Sequence, residues 1–402
     1  MLDPKWRSDF PLLTAAKPVI YFDNACATLK PESILAAMDE YNRSYPTCGG
    51  RSLNHLGEWV TDAVAKARQT VATFINAAAA EEIIFVRNTT EGINLLAHSY
   101  PLETGDVILT SDKEHNSNLV PWQLAAARTG AVHKVVRTQA DGTFDMAAYQ
   151  AALAAGGVKL VALGLTSNLD GVSIPAQAVV AAAHAAGATV VLDAAQAAPH
   201  QLLDVQALGA DFVVFSGHKL CGPSGTGVLY GQADKLAHLR PFITGGSTVS
   251  ATTYTTHDWL PLPARFEGGT QDYAGIIGLG AAMEYLDIIG LPAIAEHEQA
   301  LNQYATSRLI DLPGVKILGP AEAASRGGIL SFMVEGIDMH QIALTLDSSA
   351  NVAVRSGQHC VHSWFADRGW PGSVRWSFYL YNTTDEIDVA VASLSDIIKV
   401  YR

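Results

Sequence analysis

Residues Thr189–Gly231 read TVVLDAAQAAPHQLLDVQALGADFVVFSGHKLCGPSGTGVLYG. Two apolar runs within it, Thr189–Leu192 and Phe212–Phe215, are short, rich in β-branched and aromatic residues, and closed by polar ones. That is the pattern of strands buried on both faces of a sheet. Asp193 and Gln196 follow the first run, and Ser216, His218 and Lys219 follow the second. A carboxylate and an amine are therefore both offered at the carboxyl ends of strands, where open α/β sheets keep their ligand crevice.

Working outward, strand-like runs at Ile83–Val86, Asp106–Ser111, Val132–Val136 and Leu160–Leu163 alternate with helical stretches at Asp145–Ala154 and Pro175–Ala186. This alternation predicts right-handed crossovers and a mostly parallel central sheet flanked by helices, an α/β fold. Glu32–Asn42 and Ile276–Ile289 read as helices, and His55–Asn76 as a long amphipathic one. From Gly290 the pattern changes to a long helix, Pro292–Ile310, then short strands and helices, which predicts a smaller α+β domain. The expected division is residues 18–288 for the large domain and 1–17 plus 289–402 for the small one. Ser247–His257 has no clear period and is expected to be a mobile segment over the site.

Composition excludes several function classes. The chain has 402 residues, 49% of them apolar and 16% charged, with a formal charge of −13. A compact soluble enzyme fits these values, whereas binding to nucleic acid or to an anionic membrane surface would need a clustered Lys/Arg face that is not visible. Cys26, Cys48, Cys221 and Cys360 lie far apart, so neither a metal site nor a disulfide framework is indicated. The N-terminal MLDPKWRSDFP lacks the apolar core of a signal peptide, and a reducing cytoplasm is expected.

A lysine beside a buried acid at strand ends suits pyridoxal 5′-phosphate (PLP), whose aldehyde forms a Schiff base with a lysine while an acid holds its ring nitrogen protonated. Taken singly, Lys219 reads as a solvated loop lysine and Asp193 as a strand-closing turn residue. Their company changes the reading. Strand-Asp-x-x-Gln, then Phe-Ser-Gly-His-Lys and Gly-Pro-x-Gly-x-Gly-x-Leu-Tyr, resembles the class V aminotransferase family of PLP fold type I, and within it the cysteine desulfurases of the sulfur-mobilisation type. The similarity runs from about Tyr21 to the last helix.

The resemblance implies roles residue by residue. Lys219 would carry the cofactor, Asp193 would face its ring nitrogen, Gln196 would donate to its phenolate oxygen, and Ser216 and His218 would donate to its phosphate. Thr89 and Thr90, at the start of a helix over Glu91–His98, would cradle the same phosphate on unpaired backbone N–H groups; Thr-Thr-Glu is equally a plain helix cap. His115, in Glu-His-Asn, would stack on the ring and move protons. Asn168 would bridge the phenolate oxygen and the substrate carboxylate, with an Asx turn as the alternative. Thr270 would reach the phosphate of the neighbouring subunit, making the chain a homodimer.

On the substrate side, Arg355-Ser356-Gly357-Gln358-His359-Cys360 resembles the loop whose cysteine attacks the substrate sulfur and leaves as a persulfide. Thiolate is the attacking form, so Cys360 is expected in an open loop, with Arg355 and His359 supplying positive charge. Arg375 is preferred to Arg355 as the bidentate anchor for the substrate carboxylate. Cys26 is expected near the cofactor or as a packing thiol, and Arg51 as a loop charge or a substrate-facing residue.

The implied activity converts L-cysteine to L-alanine, with the sulfur passing from Cys360 to an acceptor protein or reductant. Selenocysteine and cysteine conjugates are alternative substrates. The same scaffold also hosts C–S lyases and epimerases, and a non-catalytic binding module is a further alternative. Gln358, where many relatives have a second His, is a departure from the pattern.

Overall fold

The computed structural model describes residues 1–50 and 52–401. Arg51 lies outside the described residues, as does Arg402. The large domain is built on a seven-stranded sheet of β1 (Ile83–Val86), β2 (Val107–Ser111), β3 (Val132–Val136), β4 (Val158–Gly164), β5 (Thr189–Asp193), β6 (Phe212–Ser216) and β7 (Gly227–Gly231), in the order β1-β7-β6-β5-β4-β2-β3. All pairs from β6 to β3 are parallel, while β7 is antiparallel to both β6 and β1. Two reversals restore the direction, so β1 points the same way as β2, β4, β5 and β6. The carboxyl ends of these five strands therefore open on one edge of the sheet.

Val190, Val191, Leu192, Val213, Val214 and Phe215 are fully buried, as the unbroken apolar runs require. Each such side chain contributes roughly 1.5–3 kcal/mol of transfer free energy. The second half of the Gly-Thr-Gly-Val-Leu-Tyr segment forms β7. Gly227 is needed there for close approach: a Cβ on it would lie 2.8 Å from Asn88 Cα and 2.8 Å from Phe215 O. Asn88 caps the helix Thr89–Ser99 by accepting from Glu91 N. The glycine thus lets the start of that helix settle onto the sheet edge.

The small domain has a four-stranded antiparallel sheet of β8 (Val315–Ile317), β9 (Ile329–Val334), β10 (Arg355–Gly357) and β11 (Ser373–Ser377), in the order β8-β9-β11-β10. Helices Leu291–Leu309, Met339–Ala350 and Thr384–Tyr401 accompany it. Phe22, Phe332, Trp376 and Phe378 pack in its core.

The N-terminal segment stitches the two cores together. Phe10 and Leu13 belong to the large core, while Arg7 pairs with Glu386 of the last helix at 2.7 Å. Ile20–Tyr21 then pairs in parallel with Val352–Ala353, and Asp23 bridges to Ser377. Ile20–Phe22 therefore joins the small domain, which differs from the expected division at residue 18.

The polar run after Phe242 also differs from expectation. Val249–Thr252 and His257–Trp259 form an antiparallel hairpin, closed by a turn in which Thr253 N donates to Thr256 O at 2.9 Å and the two threonine hydroxyls bond at 2.7 Å. Its threonines are β-branched and suit strands, and none of the hairpin lines the pocket that holds Lys219. Among the described residues no single helix is long and apolar enough to cross a membrane.

Gly227→Ala is expected to lower stability by about 1–3 kcal/mol, because backbone on both sides must move to admit one methyl group. A denaturant midpoint measured against the parent protein checks this.

Candidate active site

The five aligned strand ends converge on one pocket, lined among others by Thr89, Thr90, His115, Asn168, Asp193, Gln196, His218, Lys219, Arg355, Cys360 and Arg375. The large-domain residues arrive from the ends of five strands. Thr89 follows β1, His115 follows β2, Asn168 follows β4, Asp193 closes β5, and Lys219 lies in the short turn Gly217–Lys219 after β6. The turn is tied down from the N-terminal segment: Thr28 N donates to His218 O at 2.9 Å, and Cys221 N to Thr28 Oγ1 at 2.8 Å.

Burial sets the electrostatics. The Lys219 amine is pushed below its ordinary range, first by desolvation and then by the Arg375 charge, against the opposing pull of Asp193. Asp193 is 7% exposed, and burial raises its carboxyl. One Asp193 oxygen accepts from Ala195 N at 2.9 Å, and among the described residues the carboxylate has no ion-pair partner. Glu114, also on the wall, is pushed up to about 7 by burial, although it accepts from Ser111 Oγ, Asn118 Nδ2 and Gly164 N. These three bonds join the ends of β2 and β4, and the Glu-His pair in the sequence was the available signal for this residue.

His115 Nδ1 accepts from Ser117 N at 3.1 Å, which leaves the proton on Nε2. Burial and the charges of Lys219 and Arg375 push the ring down to about 3. His359 is pushed down to about 2 by burial and the same arginine. The expectation that His359 supplies positive charge to Cys360 is therefore corrected: the ring is 7% exposed between arginines and stays neutral.

The substrate side is built from the small domain. Arg375 and Arg355 face each other across β11 and β10. Directly opposed like charges cost stability, and Asp23 sits between them, 3.3 Å from Arg375 Nη2 and 3.8 Å from Arg355 Nη1. Sequence reasoning did not find this role of Asp23. Arg375 is 3% exposed, donates from Nη1 to Asn168 O at 2.9 Å, and keeps a buried Nε with no partner. Arg355 is half exposed.

The Cys360 loop is held by Asn168 Nδ2, which donates to His359 O at 2.6 Å, and by Asn116 N, which donates to Cys360 O at 2.8 Å. Cys360 itself is exposed. Asn168 thus spends its amide on the loop, where the resemblance placed it against the cofactor and substrate.

One predicted phosphate contact, Ser216, differs in position. The Ser216 hydroxyl lies behind Thr89, accepting from its N–H at 2.8 Å and bonding its hydroxyl at 2.6 Å, and is not on the pocket wall. Thr270 is exposed and lines a separate cleft with Arg87, Phe242 and Gln271. Gln196 donates from Nε2 to Ala25 O at 2.7 Å and leaves a buried Oε1 without a partner; as oriented, it offers an acceptor where a donor was expected. Among the described residues no group of side chains is arranged to hold a metal ion.

The sequence model described as Aminotransferase class-V matches residues 20–389. The chain belongs to the class V aminotransferase family. Within that family it is similar to a probable cysteine desulfurase of Streptomyces coelicolor, 40% identical with 97% of this chain and 96% of the relative covered. A cysteine desulfurase of Klebsiella pneumoniae is 42% identical, with 98% of each chain covered. Among solved structures, the apo cysteine desulfurase of Thermococcus onnurineus has a TM-score of 0.95 at 35% identity, over 100% of this chain and 99% of that one. The cysteine desulfurase CsdA of Escherichia coli gives 0.92 at 32%, over 100% of both. The cystine C–S lyase C-DES gives 0.83 at 25%, over 96% and 99%.

In the cofactor-free protein, the ring resonances of His115 and His359 are expected to stay at their neutral positions from about pH 8 to about pH 5 in histidine-labelled NMR spectra. Unfolded histidine titrates near about 6.5. Below that value the unfolded chain binds these protons first, so both rings make stability fall as the pH drops.

Proposed function

We propose that the protein is a PLP-dependent cysteine desulfurase that converts L-cysteine to L-alanine and takes the sulfur onto Cys360. The observation that carries the reading is an exposed thiol, Cys360, facing the pocket that holds Lys219. The residues present fit the cofactor. Asp193 is a buried carboxylate lacking the cation that a protonated ring nitrogen would be, and Lys219 offers an amine biased toward its neutral, nucleophilic form. Thr89, Thr90 and His218 stand where a phosphate group would be received. Bound there, PLP supplies an aldehyde carbon for amine attachment and a ring that delocalises the electron pair left at the substrate α-carbon.

The protein's own groups do the rest. Arg375, whose guanidinium is steadied by Asp23 and by the Asn168 carbonyl, holds the substrate carboxylate. Lys219 Nζ, held near neutrality by burial, takes the α-proton. Neutral His115, with its proton on Nε2, lines the same pocket and can donate it. Cys360 Sγ bonds to the substrate sulfur as the substrate's C–S bond breaks, leaving alanine and a persulfide.

The likeness to the cystine C–S lyase supports a second reading, β-elimination, which releases pyruvate and ammonia and does not need Cys360. The proposed desulfurase works as a homodimer in which Thr270 reaches the partner's phosphate site. Exposed Phe242 and Ile243, which line the same cleft as that threonine, suit such a contact. A sulfur-acceptor protein or reductant would take the persulfide, and the reducing cytoplasm suits chemistry that depends on free thiols.

Incubation with L-cysteine is expected to yield alanine, and Cys360→Ala is expected to cut that yield by about 10²-fold or more. Pyruvate formation indifferent to Cys360 would transfer the case to the lyase. Borohydride reduction of the yellow protein followed by peptide mapping is expected to mark Lys219, and a mark elsewhere would end the reading.

A further inference from the structure

The pocket contains a second thiol for which desulfuration has no use. Cys26 is exposed and lines the same wall as Lys219 and Cys360. The other two cysteines are placed differently. Cys221 is buried with its thiol pushed up to about 12, and Cys48 is exposed away from this pocket.

The Cys26 turn is held firmly against both domains. Cys26 N donates to Asp23 O at 3.0 Å, Ala25 N to Ser377 Oγ at 2.9 Å, and Gln196 Nε2 to Ala25 O at 2.7 Å. The thiol is therefore a fixed feature of the pocket rather than part of a loose terminus. Arg355 Nη1 lies 3.9 Å from Cys26 Sγ, and the segment that begins at Arg355 reaches Cys360 five residues later. Both sulfurs lie near enough to the Lys219 amine to act on its charge.

Cys360 and the preceding His359 have φ of 58° and 48°. Left-handed backbone is sparsely populated by residues other than glycine, and the pair is held in place by Asn168 Nδ2 on His359 O and Asn116 N on Cys360 O. The Cys360 side chain, exposed on that fixed backbone, can change rotamer within the pocket it shares with Cys26.

We propose that Cys26 is a second sulfur carrier, receiving the outer sulfur of the Cys360 persulfide inside the pocket. The inference rests on the desulfurase reading. The Cys26 thiolate attacks the terminal sulfur, one S–S bond forms at Cys26, the S–S bond at Cys360 breaks, and Cys360 leaves as thiolate. The proton on the transferred sulfur stays with it. One persulfide replaces another, so no outside oxidant or reductant is required. Cys360 is then free for the next substrate, while the sulfur waits beside Arg355 at the pocket mouth.

The test is one turnover of the holoenzyme with a limiting amount of L-cysteine and no reductant, followed by rapid alkylation and peptide mass mapping. Alanine should appear, with one extra sulfur atom found on both the Cys360 and the Cys26 peptides. The Cys26 signal should be lost in Cys360→Ala, and in Cys26→Ser the whole of the sulfur should stay on Cys360. Alanine with sulfur on Cys360 alone in the parent protein would overturn the relay and leave the desulfurase standing. No alanine at all would bring down both. Mixing isotope-labelled Cys360→Ala with Cys26→Ser gives a further arm: sulfur on Cys26 of the labelled chain would mean transfer between molecules and would overturn transfer within the pocket.

Discussion

Lys219 and Asp193 share one pocket without forming an ion pair. Removal from water disfavours the charged form of each, lowering the amine and raising the carboxyl. Left to themselves, both groups drift toward neutrality. A ligand with an electrophilic carbon on one side and a protonatable nitrogen on the other relieves both at once, giving the amine a covalent partner and the carboxylate a cation. The sheet exists to hold these two groups apart at the right spacing, since Asp193 ends β5 and Lys219 follows the neighbouring β6.

The substrate side depends on a second electrostatic arrangement, contributed by the other domain. Arg375 and Arg355 are cross-strand neighbours, and Asp23 reaches them because Ile20–Asp23 joins the small domain's strands. Arg375 in turn bonds Asn168, and Asn168 bonds the carbonyl just before Cys360. Arg375 and the Cys360 loop are thus linked through one buried asparagine, by its backbone carbonyl on one side and its side-chain amide on the other. The same turn that supplies Asp23 carries Cys26, which brings the second thiol to the mouth of the pocket.

Much of the large domain was legible in the sequence because its strands are buried on both faces and bounded by sharp polar stops. The strand starting at Thr189 and the strand starting at Phe212 stand where the apolar runs end in Asp193 and Ser216. The hairpin of Val249–Thr252 and His257–Trp259 was not legible, since a run of exposed threonines has no apolar period to reveal its pairing. Ser216 was expected to meet a phosphate directly, and it stands one residue back, behind Thr89, because side-chain direction at a strand end is set by the helix packed over it.

The sequence by itself determined the chemistry available: a lysine and an acid at strand ends, a stacking histidine, a thiol in a polar loop, and an arginine on a late strand. These follow from local pattern, in which strand termini and residue types are written along the chain. Only the tertiary structure decided that His359 is neutral, that Asp23 separates two arginines, and that Cys26 shares a wall with Cys360. Those outcomes depend on burial and on contacts between residues more than 300 positions apart, and desolvation acts on a side chain through everything folded around it.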